Sequence, residues 1–257
     1  MIVVKPCGGL SNYLRVVLSW YSYAKSINSK LIVIWEVNDT CNGFFLDYFE
    51  ETNGITFVRD NSNNYHINYS GTSAKNGYIR NIKYHEILKP KKYINKIVKK
   101  KIRKINGNNI NNITYEYERK IIIKGGKKGT NNKMQKNKKV QNKYYSIHIR
   151  RTDHIDLAKS RNKFTTDKEF HTFINKNKNK NFYIATDDPK TYNAFKNRHK
   201  KNIKFKYHET NDSEFRKTSM RDAIIDIYMC VYADKFIGSG YSSFSNLIKS
   251  LRKEKNL

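Results

Sequence analysis

The sequence predicts an α/β protein of two lobes, each built around a mostly parallel sheet. Three observations predict it. At 257 residues the chain exceeds the usual single-domain size and is long enough to bury two small cores. Apolar runs of strand length alternate with stretches whose apolar residues recur every three or four positions, which is the βαβ rhythm. The strand-to-helix junctions carry glycine, serine or aspartate, the residues of a tight turn followed by a helix cap.

Taken in order, the apolar run 2–5 stops at Pro6, and CGGLSN leads into a helix on which Leu14, Val17, Leu18, Tyr21, Ala24 and Ile27 share a face. LIVIWE at 31–36 and ITFV at 55–58 read as buried strands, giving a Rossmann-like first lobe. A helix with a lysine-rich outer face is expected from about Lys91, just after Pro90. Residues 106–143 are Asn, Lys and Gly with one apolar island at 121–123, a connector with a strand or two inside it. The second lobe opens on the alternating strand 144–150. A further strand, 182–185, breaks into Asp187, Asp188 and Pro189, an acidic cap with proline in the first helical turn. Ser219 caps a long helix carrying Met220, Ala223, Ile224, Ile227, Tyr228 and Val231 on one face. KFIG then reads as a strand, and GSGYSSFSN as a turn into the last helix. The resulting plan is a first lobe over 1–105, the connector over 106–143 and a second lobe over 144–257.

Charge and cysteine content limit the partners. Lys and Arg number 51 against 22 Asp and Glu, a formal +29, which by itself suggests a polyanion. The lysines are diffuse, however, and come with abundant Asn, Ile and Tyr, all specified by A/T-rich codons. A biased genome accounts for much of the excess, and nucleic acid is not the expected partner. Cys7, Cys41 and Cys230 lack CxxC or Cys/His spacing, so neither a disulfide framework nor a metal centre is expected. A cytoplasmic protein without membrane anchor, from a microbe or a virus-infected cell, fits this composition; oligomeric state is not legible.

In the second lobe, Arg150, Asp187 and Ser242 fall at strand ends along one sheet edge, where open α/β sheets bind ligands. A helix start preceded by Gly238, Ser239 and Gly240 offers amides and the hydroxyls of Ser242, Ser243 and Ser245 to a phosphate. The fork of an arginine grips the same phosphate in a way lysine does not. SIHIRRTDH therefore suggests a diphosphate, with His148 available to a base or ribose. Each motif has a plainer reading: His148 a packed strand residue, Asp188 a cap, Asp226 an exposed helix acid, and Arg151 a surface charge or a partner for Asp153.

HIRRTD, ATDDP and SMRDAIIDIYMCVYADKFIGSGYSSFSNLI together resemble, in order and spacing, the donor-binding half of the core α1,6-fucosyltransferase family. They are more distantly similar to nodulation, protein O- and α1,2-fucosyltransferases. The likeness covers about 145–248. In the first half it rests on ILKP and on GGLSNYLR, which resembles the superfamily's glycine-rich loop and would assign Gly8, Gly9, Asn12 and Arg15 to it. The resemblance implies a GT-B-like architecture, with GDP-fucose held by the second lobe and inverting transfer to a glycan hydroxyl without metal or other cofactor. It implies that Arg150 supports the departing GDP, that His148 and Arg151 meet the donor, and that Asp187 and Asp188 line the nucleoside pocket. Asp226 would match the guanine-recognising acid, and Ser242, Ser243 and Phe244 the phosphate-binding turn. One departure stands out: the glutamate serving as base in the family aligns with Ala158. Either Asp156 takes its place, with Asp153 behind it, or the leaving phosphate assists proton removal. A degenerate sugar-nucleotide or carbohydrate binder is the alternative reading.

Overall fold

The computed structural model describes residues 1–78, 83–107, 144–152, 155–203 and 218–255. The first lobe holds β1 (Ile2–Pro6), α1 (Leu10–Ser26), β2 (Leu31–Ile34), the single turn α2 (Phe45–Tyr48), β3 (Ile55–Val58), β4 (Tyr69–Gly71) and a second single turn, α3 (Tyr84–Ile87). Its four strands are parallel in the order β3-β2-β1-β4, with Val3 opposite Ile32 and Val33 opposite Phe57. β2 is buried along its whole length, as an apolar run flanked by parallel neighbours should be. α1 buries Leu14, Val17, Leu18 and Ala24 of the predicted face together with Tyr13 and Trp20, while Tyr21 is half-buried and Ile27 is exposed.

The helix α4 (Lys92–Ile105) follows, and the second lobe then comprises β5 (Tyr144–Ile149), α5 (Ile155–Ser160), α6 (Asp167–Lys176), β6 (Asn181–Thr186), α7 (Pro189–Arg198), α8 (Met220–Val231), β7 (Lys235–Gly238) and α9 (Ser243–Glu254). Its parallel sheet has the order β6-β5-β7, so β5 is central and all of its residues are buried. Two parallel sheets with helices packed on them form the α/β architecture the sequence predicts. Residues 108–143 of the expected connector, and Asp153, lie outside the described residues.

The lobes exchange helices. α4, counted with the first lobe in the sequence, packs Ile94, Val98, Ile102 and Ile105 on α8, and α9 reaches α1 and α3. One continuous apolar cluster therefore runs from Val4 and Leu14 to Ile224 and Ile248. Polar ties cross the same seam: Tyr228 Oη donates to the Leu88 carbonyl at 2.9 Å, and the carboxylate of Glu254 accepts from the His85 amide at 3.1 Å. The C-terminal end of α8 is closed by Arg252 of α9. Its buried guanidinium donates to the carbonyls of Cys230, Val231, Ala233 and Asp234 at 2.5 to 3.1 Å. The first two are among the carbonyls a helix leaves without partners of its own, and the other two lie in the turn after it.

Candidate active site

The site is assembled where β5, β6 and β7 end. Because the three strands are parallel, the residues after them meet on one edge: Arg150 after β5, Asp187 after β6 and Ser239 after β7. Backbone and side chains stitch these turns together. The Arg150 amide donates to Ser239 Oγ at 2.9 Å, and the Ser239 amide to the His148 carbonyl at 2.9 Å. Arg150, Ser239 and Gly240 line one cleft with Arg151, Ile155, Ala158, Phe164, Thr165 and Tyr241. The cleft places Arg150 beside Ser239, Gly240 and Tyr241 of the glycine-serine turn, whereas Ser242, Ser243 and Phe244 are not in its lining; the opposite wall, Phe164 and Thr165, was not indicated by the sequence.

That wall is fastened by Arg151. Its guanidinium donates to the Arg150 carbonyl at 2.8 Å and to the Thr165 carbonyl at 3.0 Å, and pairs with Asp167 at 2.5 Å. The guanidinium carbon also lies 4.8 Å from the centre of the Phe164 ring. Among the plainer readings, Arg151 is an ion-pair partner, here of Asp167; the pairing expected with Asp153 falls outside the described residues. Thr165 then closes the circuit, its Oγ1 accepting from the Gly240 amide at 2.8 Å. Gly240 is required by this approach, since a Cβ there would run into the Lys163 carbonyl oxygen. Gly240→Ala is expected to cost about 2 kcal/mol and to disturb ligand binding, measured by chemical denaturation alongside nucleotide titration.

The acids after β6 are engaged locally. Asp187 accepts from the Arg151 amide at 2.9 Å and from Thr152 Oγ1 at 2.7 Å. Asp188 caps α7 through the amides of Lys190 and Thr191, which together with the Thr191 hydroxyl hold its pKa below the usual carboxylate range against the opposing effect of burial. Ser242 is 1 % exposed and caps α9, accepting from the Ser245 amide at 3.3 Å. Ser243 is the first residue of that helix and is half-buried. Phe244 packs its ring 4.6 Å from His148, whose Nδ1 lies 2.7 Å from Ser245 Oγ. His148 thus fixes the start of α9 from inside the sheet.

Asp226 is partly buried on α8 and accepts from Tyr183 Oη at 2.5 Å, so it is not the exposed helix acid of the plainer reading. Asp156 lies exposed in the first turn of α5, one residue from Ile155 in the cleft wall, and Ala158 lines the cleft itself. In the first lobe, Gly8 adopts φ 81°, and a Cβ there would meet Asn12 Nδ2 at 2.8 Å. Gly9 caps α1, Asn12 Oδ1 accepts from Arg15 at 3.1 Å, and Arg15 donates to the Thr72 carbonyl at 2.6 Å. These four residues form their own braced turn after β1. Among the described residues no group of three or more His, Cys, Asp or Glu is arranged to hold a metal ion, and no helix is long and apolar enough to cross a membrane.

Two buried groups shape the pH response in opposite senses. Burial pushes His148 down to about 3 from 6.5, with Arg150 and Arg151 adding to the shift. Its neutral form therefore contributes stability that is complete above pH 6.5 and is lost as pH falls toward 3. Burial pushes Asp226 up to about 7 from 3.8, against the Tyr183 hydrogen bond and the Lys101 charge. That contribution is complete below pH 3.8 and is lost as pH rises through about 7. Between pH 3.8 and 6.5 the two slopes, each about 1.4 kcal/mol per pH unit, oppose one another. Asp226→Asn is expected to unmask the histidine slope, so that stability across this window rises with pH far more steeply than in the wild type. Urea midpoints measured from pH 4 to 8 check it.

No family model matches the chain, and no curated protein does. Solved structures do match in fold. A crystal structure of POFUT1 in its apo form superposes with a TM-score of 0.59 at 12% identity, covering 99% of this chain and 95% of that one. One of POFUT1 in complex with GDP-fucose superposes with a TM-score of 0.56 at 11% identity, covering 98% and 94%. The shared feature is the architecture, a GT-B-like α/β fold with parallel sheets.

Proposed function

We propose that the chain is an inverting glycosyltransferase that takes L-fucose from GDP-fucose and transfers it to a glycan hydroxyl. The observation that carries this reading is the cleft at the end of the second sheet, which Arg150 lines together with Ser239, Gly240 and Tyr241, the turn that precedes α9. A guanidinium and a helix start are each suited to phosphate. The GT-B-like fold shared with POFUT1, one structure of which contains GDP-fucose, supports a GDP-sugar as the donor.

In the reaction, the acceptor oxygen attacks the anomeric carbon as the bond from that carbon to the β-phosphate oxygen breaks. The sugar inverts and GDP departs with the bonding electrons. Arg150 stabilises the charge that builds on that oxygen. His148, neutral at physiological pH, holds the turn that meets the diphosphate rather than supplying charge. Arg151 and Asp187 hold the loop that aims Arg150. The acceptor proton passes to Asp156, exposed in the first turn of α5, or to the departing phosphate. No metal is invoked, because Asp187 and Asp188 already accept from amide and hydroxyl donors. Ala158, at the place of the family's glutamate, favours a second reading in which the cleft binds GDP-sugar without turnover.

Incubation with labelled GDP-fucose and a glycan array separates the two. Transfer, or slow release of fucose to water, supports the enzyme. GDP-fucose binding without either supports the binder, and absence of binding removes both. If Asp156 is the base, Asp156→Asn lowers turnover about a hundred-fold or more while the GDP titration curve stays unchanged; undiminished turnover excludes it.

A further inference from the structure

Tyr241 lines the cleft in a backbone conformation that its side chain disfavours. It lies between Gly240 and Ser242, the N-cap of α9, and adopts φ 53°, the left-handed region in which a Cβ crowds the following carbonyl. Glycine or asparagine would sit there at lower cost. The usual structural reasons for an aromatic ring do not apply to it. Among the described residues it belongs to none of the apolar clusters, and its hydroxyl has no hydrogen-bond partner. An apolar residue just before an N-cap often packs on the fourth residue of the helix, but here that residue is Asn246, polar and exposed. The contact its ring does make is with the guanidinium of Arg161, whose carbon lies 5.2 Å from the ring centre. Strain that the fold does not require, held at the wall of a cleft, points to a ligand.

We propose that Tyr241 is a donor-recognition residue whose ring lies against the sugar of the GDP-sugar. The inference rests on the donor assignment made above and adds the residue that reads the transferred group. Arg150 lines the same cleft and is assigned the phosphate oxygen that departs, and the group bonded to that oxygen is the sugar. The base is two phosphates and a ribose away. A hexose turns the C–H bonds of one ring face outward as an apolar surface, to which a 6-deoxy sugar adds a methyl group. An aromatic ring matches that surface in size and polarity. Ile155, Ala158 and Phe164 add further apolar groups to the cleft, the setting in which such a contact gains most. Arg161 over the ring fixes its plane before the ligand arrives, so little freedom is lost on binding.

The test is calorimetric titration of the full chain with GDP and with GDP-fucose, beside thermal melts, in the wild type, Tyr241→Asn and Tyr241→Phe. Asparagine removes the ring and tolerates the left-handed backbone, whereas phenylalanine keeps the ring and drops the hydroxyl. The expected result for Tyr241→Asn is GDP-fucose binding weakened by at least ~10-fold, GDP binding within ~2-fold of the wild type, and a melting temperature no lower than the wild type's. Tyr241→Phe is expected to hold GDP-fucose within ~3-fold, since the ring face and not the hydroxyl makes the contact. Equal weakening of the two ligands in Tyr241→Asn would overturn the proposal. A lowered melting temperature would then show that the turn needs the ring, and an unchanged one that the ring meets the nucleotide. Undiminished GDP-fucose binding in Tyr241→Asn would overturn it as well. A wild type that binds neither ligand would remove the donor assignment and this contact together, whereas GDP binding with no selective loss of GDP-fucose removes this contact alone.

Discussion

Arg150→Ala is expected to lower sugar transfer about a thousand-fold with a smaller loss of thermal stability than Arg151→Ala. The asymmetry follows from how the position is built. The amide of residue 150 bonds to Ser239 Oγ and its carbonyl accepts from Arg151, and both main-chain contacts survive truncation of the side chain. What is removed is a planar, permanently charged fork from a cleft also lined by Phe164 and Tyr241. Arg150→Lys should recover little, because a single ammonium cannot span two phosphate oxygens. Arg151→Ala should behave differently, since that side chain fastens the cleft wall through Thr165 and Asp167. It should lower thermal stability and activity together. Steady-state kinetics beside thermal melts distinguish the two arginines, and a large loss of stability in Arg150→Ala would contradict the division of labour drawn here.

Arg252→Ala carries the largest expected effect on stability, about 3 kcal/mol, or roughly 8 °C in melting temperature for a chain of this size. Four carbonyls at the end of α8 and in the turn after it share this one guanidinium. The side chain is 8 % exposed, so water cannot take its place without reorganising α9. Burial lowers its pKa from the usual value, a sign that the charge is held at some cost and that the carbonyl contacts offset it. Arg252→Lys should restore part of the loss by offering one cation to the same helix terminus. Urea unfolding of the two variants provides the measurement. An alanine variant as stable as the wild type would show that the α8 terminus is satisfied by other means.

The α8 face was legible because its burial follows its apolar spacing, and β5 was legible as a strand, although its alternation did not foretell that both faces would be buried. β4 was not, since Tyr69–Gly71 contains no apolar run and is a strand through its pairing with β1. α6 was missed despite a readable signal, the capping box in which Thr166 and Glu169 bond reciprocally. At the site, the turn types around Arg150, Asp188 and Ser242 were readable from local chemistry. The partners of Arg151 and His148 were not, because Asp167, Thr165 and Ser245 reach them through the fold. Asp187 and Asp188 show the limit of local pattern: the cap at Asp188 was readable, whereas the bonds by which Asp187 braces the loop after β5 come from the fold.

The central claim is that the carboxyl edge of the second sheet clasps a guanosine diphosphate through Arg150 and the start of α9. Calorimetric titration of the wild type and of Arg150→Ala with GDP and with UDP tests it most directly. The account predicts saturable GDP binding, at least tenfold weaker UDP binding, and loss of the GDP signal in a variant that remains folded. Equal affinity for the two nucleotides, or GDP binding untouched by the substitution, would contradict it.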